Sequence, residues 1–174
     1  MSTIYLTLET LVAKGACAPA REEFVTRYPD GIDYQQLLDT IAEDDALPDA
    51  WGSWLLDAFG STNEVRRIDG DLTVKTVFFA GSLEVSGALT TNRGISVGTF
   101  VKAGTFVKAG TFVEAGWSVK AGESVKAGTF VKAGDGYGVF AGLNVQVADW
   151  SVYAQVSAQV KPANLMTGVW MPRT

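Results

Sequence analysis

The sequence contains no histidine among its 174 residues, so imidazole is absent as a general base, a metal ligand and a pH switch. Cysteine occurs once, at Cys17, which excludes an internal disulfide and is typical of a reducing cytoplasm. No apolar run reaches the roughly 18 residues that a membrane span needs, and the first residues lack the pattern of a secretion signal. We therefore predict a cytoplasmic protein with no membrane contact, no cofactor, no metal and no enzymatic activity.

The charge of the chain changes sign from front to back. The net charge is −5, but residues 1–72 carry 14 acidic and 5 basic side chains, whereas residues 73–174 carry 5 acidic and 9 basic ones. Residues 29–60 contain eight acids and no base. Such a patch can occupy a nucleic-acid-binding groove by imitating phosphates, and a solvated helical face is the alternative. We assign partner binding to five of these acids, Asp39, Glu43, Asp44, Asp45 and Asp49.

Residues 1–62 are predicted to form a small, acidic, all-α N-terminal module. Apolar residues recur at helical spacing, glycines follow two of the segments as C-caps, and Asp33 is a candidate N-cap. The predicted helices run from Thr7 to Lys14, from Ala18 to Arg27, from about Asp33 to Asp44 and from near Pro48 to Phe59.

The middle of the chain is a strict hexapeptide repeat. Gly-Thr-Phe-Val-Lys-Ala stands at residue 98 and again at 104, recurs with one or two changes at 110, 116 and 122, and returns at 128. Self-similarity at a fixed short period predicts a solenoid. We assign residues 63–160 to a parallel β-solenoid with strict hexads at 98–134, and residues 161–174 to a C-terminal cap over its open edge.

Each hexad predicts one short strand and one corner. The valine and the alanine two places later never vary, and residues i and i+2 of a strand share a face, so both are predicted to point into a narrow core. The residue between them, usually lysine, points to solvent. The glycine after each alanine marks a corner, where the backbone must bend or take a positive φ. After a break at 134–138, further strands are predicted at 145–147 and 152–154.

The repeat resembles the hexapeptide-repeat left-handed β-helix, in which an aliphatic residue fills each inner position, a small residue stands four places on and three hexads close a triangular coil. Val101 with Thr105 and Val107 with Thr111 match these positions. The residue after the aliphatic one departs from the family pattern, because this chain has mostly lysine there. The resemblance implies a left-handed triangular coil, and a flattened two-sided coil is the alternative. Acyltransferases of this fold use an imidazole base, which this chain lacks.

The outward positions of the hexads predict two surfaces. The first is a possible basic stripe, which consists of Lys102, Lys108, Lys120, Lys126 and Lys132. Such a stripe would suit a polyanion. We favour a solubilising role for these lysines, so direct nucleic-acid binding is the less favoured prediction. The residue before each inward valine also points outward, which predicts a row of aromatic side chains suited to a partner contact or an oligomer seam. This row consists of Phe100, Phe106, Phe112 and Phe130.

The whole arrangement, an acidic helical module followed by Gly-x-x-Val-Lys-Ala repeats and the glycine-rich break at 134–138, looks like small proteins carried by bacteriophages and mobile elements. Some of those are anti-defence inhibitors, including anti-CRISPR proteins, which bind a host nuclease complex and block its nucleic-acid site. Together with this resemblance, the missing catalytic chemistry and the acidic front half favour a non-enzymatic binding protein of the host cytoplasm whose partner is a host protein or nucleoprotein complex. The alternative is a structural solenoid that self-associates into a homo-oligomer, as a spacer or virion component.

Overall fold

A computed structural model describes residues 4–173 of the chain. The N-terminal part of this range is helical, as predicted, and local capping sets the helix starts. The Thr7 hydroxyl accepts the Thr10 N–H in a capping box, and the Asp33 carboxylate accepts the Gln36 N–H at 3.0 Å. The elements are β1 (Tyr5–Leu6), α1 (Leu8–Ala13), α2 (Ala18–Arg27), β2 (Ile32–Asp33), α3 (Tyr34–Glu43) and α4 (Asp49–Phe59), with β1 and β2 antiparallel.

The helices enclose a core of their own. Tyr34, Leu38 and Ile41 of α3 are buried and pack with Leu55 of α4. The Tyr34 hydroxyl lies 3.1 Å from both the Leu55 and the Gly60 carbonyl oxygens. Burial raises the pKa of this phenol, so the hydroxyl stays a neutral donor that ties the end of α4 to α3.

The chain from residue 65 to residue 172 forms a parallel β-solenoid of three sheets. Sheet I contains β3 (Val65–Ile68), β6 (Ser82–Val85), β9 (Val101–Ala103), β12 (Val119–Ala121), β15 (Val139–Phe140) and β17 (Leu165–Thr167). Sheet II contains β4 (Leu72–Val74), β7 (Leu89–Thr91), β10 (Val107–Ala109), β13 (Val125–Lys126), β16 (Gln155–Ala158) and β18 (Val169–Pro172). Sheet III contains β5 (Val77–Phe79), β8 (Ile95–Val97), β11 (Val113–Ala115) and β14 (Val131–Ala133).

The strand register determines the shape of one coil. Val101 pairs with Val119 and Val107 with Val125, so equivalent residues of neighbouring coils are 18 residues apart. Three hexads therefore close one coil. The flattened two-sided alternative is wrong because a third sheet occupies its own side of the coil. The predicted parallel β-solenoid is confirmed, and its left-handed sense stays a prediction.

The inner positions follow the predicted alternation. Val101 and Val107 are fully buried and Ala103 is 2% exposed, whereas Lys102 and Lys108 are exposed. The inward side chains of successive coils join in one continuous apolar core. Because a single hexad buries little apolar surface alone, the stacking of coils supplies the hydrophobic stabilisation.

Close backbone approach explains the repeat glycines. A Cβ built on Gly104 would lie 1.8 Å from the Ser86 carbonyl oxygen of the preceding coil, and one on Gly122 would lie 1.9 Å from the Gly104 carbonyl oxygen. A positive φ does not occur at the repeat glycines between residues 98 and 134. The positive φ predicted as one possibility for these corners is therefore wrong. Glycine is required there because the spacing of the coils leaves no room for a side chain.

The period breaks at the turn around Gly136, whose φ is +79°, and β15 follows with a register shift between Val139 and Phe140. The chain then leaves the solenoid over residues 142–154, which we call the excursion. It contains a 3₁₀ helix (Val147–Asp149) and α5 (Trp150–Tyr153).

The strands predicted at 145–147 and 152–154 are therefore wrong. The Trp150 indole N–H donates to the Val145 carbonyl at 3.1 Å and closes the excursion into a compact loop, so alternating residues there do not reach the sheet. The strand forms later, as β16. Residues 165–172, assigned to a cap, add β17 and β18 to the solenoid.

The helical part packs on sheet III at the first coils. Phe78, at the outer position of β5, is 2% exposed and faces Gly52 of α4, where a Cβ would come within 2.6 Å of the ring. The Gln35 side chain of α3 donates to the Phe78 carbonyl and accepts the Ala80 N–H, both at 2.9 Å. A neighbouring parallel strand would make the same two bonds, so Gln35 caps the free edge of β5.

Candidate interaction surfaces

The acidic residues nearest α4 bind basic residues of the solenoid. Arg93 nitrogens lie 2.9 Å from the Asp45 carboxylate and 3.1 Å from that of Asp49. Lys75 also pairs with Asp45 and donates to the Glu43 backbone carbonyl at 3.2 Å. The Lys75 ammonium, with a smaller contribution from Arg93, lowers the pKa of the Asp45 carboxyl. The Glu43 side chain is exposed and has no ion-pair partner within residues 4–173.

The other two predicted acids are also paired. Asp39 lies 3.5 Å from Arg66 of β3, and Asp44 lies 2.6 Å from Arg27 of α2. The Ala46 N–H and then the Arg27 guanidinium lower the pKa of the Asp44 carboxyl. Four of the five predicted acids thus have a cation inside the chain, and three of them lie on the seam between the helices and the solenoid. Partner binding by these acids stays a prediction.

The predicted row of phenylalanines does not exist as one row. Phe100 precedes a strand of sheet I and Phe106 one of sheet II, whereas Phe112 and Phe130 precede strands of sheet III. All four are half-buried rather than fully exposed. Only the last two stack, with ring centroids 5.4 Å apart and planes at 13°, and the Phe112 ring covers Gly94 of the coil before it. Consecutive hexads lie on consecutive sides of the coil, which separates the rings. Partner binding by these rings stays a prediction.

The lysines are divided among the sides in the same way. In sheets I and II neighbouring lysines stand in register, Lys102 with Lys120 and Lys108 with Lys126. On sheet III, Lys132 lies 2.6 Å from the Glu114 carboxylate, whose hydrogen bond raises the pKa of the lysine. Because consecutive hexads lie on consecutive sides of the coil, each side bears at most two of the five lysines, and they form no continuous basic stripe.

The excursion carries an apolar surface that the sequence analysis missed. Four of its large apolar side chains are 50% to 75% exposed, and apolar side chains grouped on a surface are more informative than single exposed ones. They are Leu143, Val147, Val152 and Tyr153. The available signal is the loss of hexad phase after residue 142, a region in which the sequence predicts further strands.

The fold and these surfaces define the class: a parallel β-solenoid preceded by a small helical region. Comparisons with protein-family models, with curated proteins and with solved structures found no match. From Ile4 to Arg173 no helix is both long and apolar enough to cross a bilayer. Over the same range, no three His, Cys, Asp or Glu side chains lie close enough together to hold a metal ion.

Proposed function

We propose that this protein is a non-enzymatic binding protein that inhibits a host protein or nucleoprotein complex, in the manner of an anti-defence protein. The observation that carries the proposal is the exposed apolar surface of the excursion, displayed at the side of a rigid solenoid. Val147 is 75% exposed and Val152 is 60% exposed. Exposed apolar side chains that are grouped on one surface can mark protein contact sites.

The excursion is held in place before any partner arrives. Its Asn144 side chain donates to the Gly104 carbonyl at 3.0 Å, and the Gly142 N–H donates to the Glu123 carbonyl at 2.6 Å. Polar residues including Gln146 and Asp149 surround a shallow depression beside it. A preformed surface loses little conformational entropy on binding.

Steric blocking of the host complex is the mode that we propose, rather than phosphate imitation. Asp39, Asp44, Asp45 and Asp49 already have cationic partners within the chain. Their ion pairs would have to break before these carboxylates met a nucleic-acid-binding groove, and the pairs of Asp39, Asp45 and Asp49 also join the helices to the solenoid.

The test is a plaque assay on bacteria that carry an active CRISPR defence and express the full-length chain. We expect the wild type to restore phage plaques and the double variant Val147→Asp, Val152→Asp to lose that effect. Val25→Asp is the matched control, since Val25 is 43% exposed on α2, away from the excursion. An inactive wild type, or a double variant as active as Val25→Asp, would overturn the proposal.

The structural alternative, a self-associating solenoid, loses its predicted seam because the phenylalanines lie on three sides of the coil. The open ends of the solenoid are a separate observation that favours self-association.

A further inference from the structure

Both ends of the solenoid leave strand edges open. Within the described residues, β3 and β4 at the N-terminal end and β17 and β18 at the C-terminal end each have a neighbouring strand on one side only. Free edges of this kind are templates for another strand. Sheet III differs, because Gln35 already caps β5.

A groove of about 340 Å³ lies at the N-terminal end, beside β4. Its walls include the half-buried inner residues Ile68, Leu72 and Val77 of the first coil. Thr76 also lines it; this residue is only 5% exposed, and its hydroxyl has no hydrogen-bond partner among the described residues. A buried hydroxyl without a partner is destabilising until a ligand or another chain supplies one.

The C-terminal end presents apolar side chains instead of a groove. Leu165 and Trp170 occupy inner positions of the last coil and are only partly buried against the core. On the outer positions, Met166 is 62% exposed and Met171 is 42% exposed. Among residues 4–173, neither inward-pointing charges nor a covering helix protects this end, although these are devices that usually guard an open sheet.

We propose that the C-terminal end of one copy docks on the N-terminal end of a second copy, so that the solenoids stack head to tail. This inference rests on the self-associating alternative and not on the inhibitor function. The strand register supplies the alignment. In sheet II, the inward-pointing residues of successive coils pair with one another and form one column, which we call the inner column. It consists of Leu72, Leu89, Val107, Val125, Val156 and Trp170.

Continuing that column into a second copy brings Trp170 against Leu72 and the groove, and Met171 beside Thr73. Strands in sheets I and II then stay parallel, as they are within each copy. Sheet III has four strands where sheets I and II have six. At the C-terminal end, sheet III therefore stops before sheets I and II do. At the N-terminal end, α3 caps β5 on this same side of the coil.

Charge favours head-to-tail docking over the pairing of two C-terminal ends. Of the charged residues that line the groove, three are paired within the chain, and Glu43 is left as an unpaired carboxylate. Between residues 150 and 173 the only charged side chains are Lys161 and Arg173, both basic. Opposite charges therefore meet head to tail, whereas two C-terminal ends would bring like charges together.

The test uses cysteine cross-linking in a full-length Cys17→Ala background, with Thr73→Cys and Met171→Cys as separate proteins. Because both positions are exposed at strand edges, the substitutions should leave the fold intact, which circular dichroism checks. After mild oxidation, a covalent dimer is expected in the mixture and not in either protein alone. The matched control replaces Thr73→Cys with Lys126→Cys, which lies on the same outer column in the middle of the solenoid and should give no dimer with Met171→Cys.

A covalent dimer from Met171→Cys alone would show pairing of two C-terminal ends and overturn the proposal. Sedimentation of the wild type gives a second readout. Head-to-tail stacking along the solenoid axis is open-ended, so the average mass should keep rising beyond the dimer as concentration increases, and a monomer at every concentration would also overturn the proposal. The double variant Val147→Asp, Val152→Asp should still cross-link, so failure of the inhibitor proposal and failure of this one are distinguishable.

Discussion

Replacing Gly104 with alanine tests why glycine occupies the corners of the repeat. A Cβ at this position would lie 1.8 Å from the Ser86 carbonyl oxygen and 2.8 Å from its carbon. Relaxed carbon contacts are about 3.5 Å long, so the two coils would have to move apart locally by roughly 1.5 Å. Both obstructing atoms belong to the backbone, so no side-chain rotation can relieve the contact.

The expected loss of stability is about 3 kcal/mol. Overpacking that shifts the backbone costs about 1–3 kcal/mol. The Gly104 N–H also donates to the Val85 carbonyl at 2.9 Å, and weakening that buried bond adds about 1 kcal/mol. Without the close contact to Ser86, the sign of the change would be opposite. The φ of Gly104 lies outside the left-handed region, so alanine would then stabilise the fold by about 0.4–1 kcal/mol through the unfolded chain.

Urea unfolding followed by circular dichroism measures this difference. A loss of 3 kcal/mol lowers the midpoint by about 1.5 M for a slope of about 2 kcal/mol per molar urea. Gly136→Ala is the matched control: its φ is +79° and no atom lies within 4 Å of the added Cβ, so it should lose only about 1 kcal/mol from backbone strain. A Gly104→Ala midpoint at or above that of the wild type would refute the close-approach explanation.

Three further outcomes are expected. Gln35→Ala should lower the free energy of unfolding by about 2 kcal/mol and speed hydrogen exchange of the Ala80 amide, and unchanged exchange there would contradict the edge-capping role. The pKa of the Asp45 carboxyl is lower in the folded protein than in the unfolded chain, where it is about 4. The ion pair of Asp45 with Lys75 therefore stabilises the fold above about pH 4, and this stabilisation is lost as the pH falls through the folded pKa. Lys75→Met should therefore flatten the decline of the urea midpoint in acid, and parallel curves for variant and wild type would argue against it. Val119→Ala, at a fully buried position, should cost about 2 kcal/mol, whereas Lys126→Ala should change stability by less than about 0.5 kcal/mol; similar losses for both would contradict the inward and outward assignment.

The candidate sites could be predicted only in part, because they depend on which distant residues meet. The acidic segment is visible in the sequence, but the pairing of Asp45 with Lys75 and Arg93 requires the connection between α3 and α4 to lie beside the first two coils. The excursion was missed because its valines alternate as strand residues do. The local pattern cannot show that Trp150 closes the segment into a loop.

The sequence by itself determined the helices, the hexad alternation and the buried valine and alanine positions. Those features depend on the direction of a side chain within one helix or strand, which the period of the sequence expresses directly. Only the tertiary structure decided that three hexads make a coil, and hence that Phe100, Phe106 and Phe112 lie on three different sides. It also decided that Gly104 is needed for the close approach of Ser86. Contacts between residues 18 positions apart exist only after the chain has closed a full coil, and no local preference contains them.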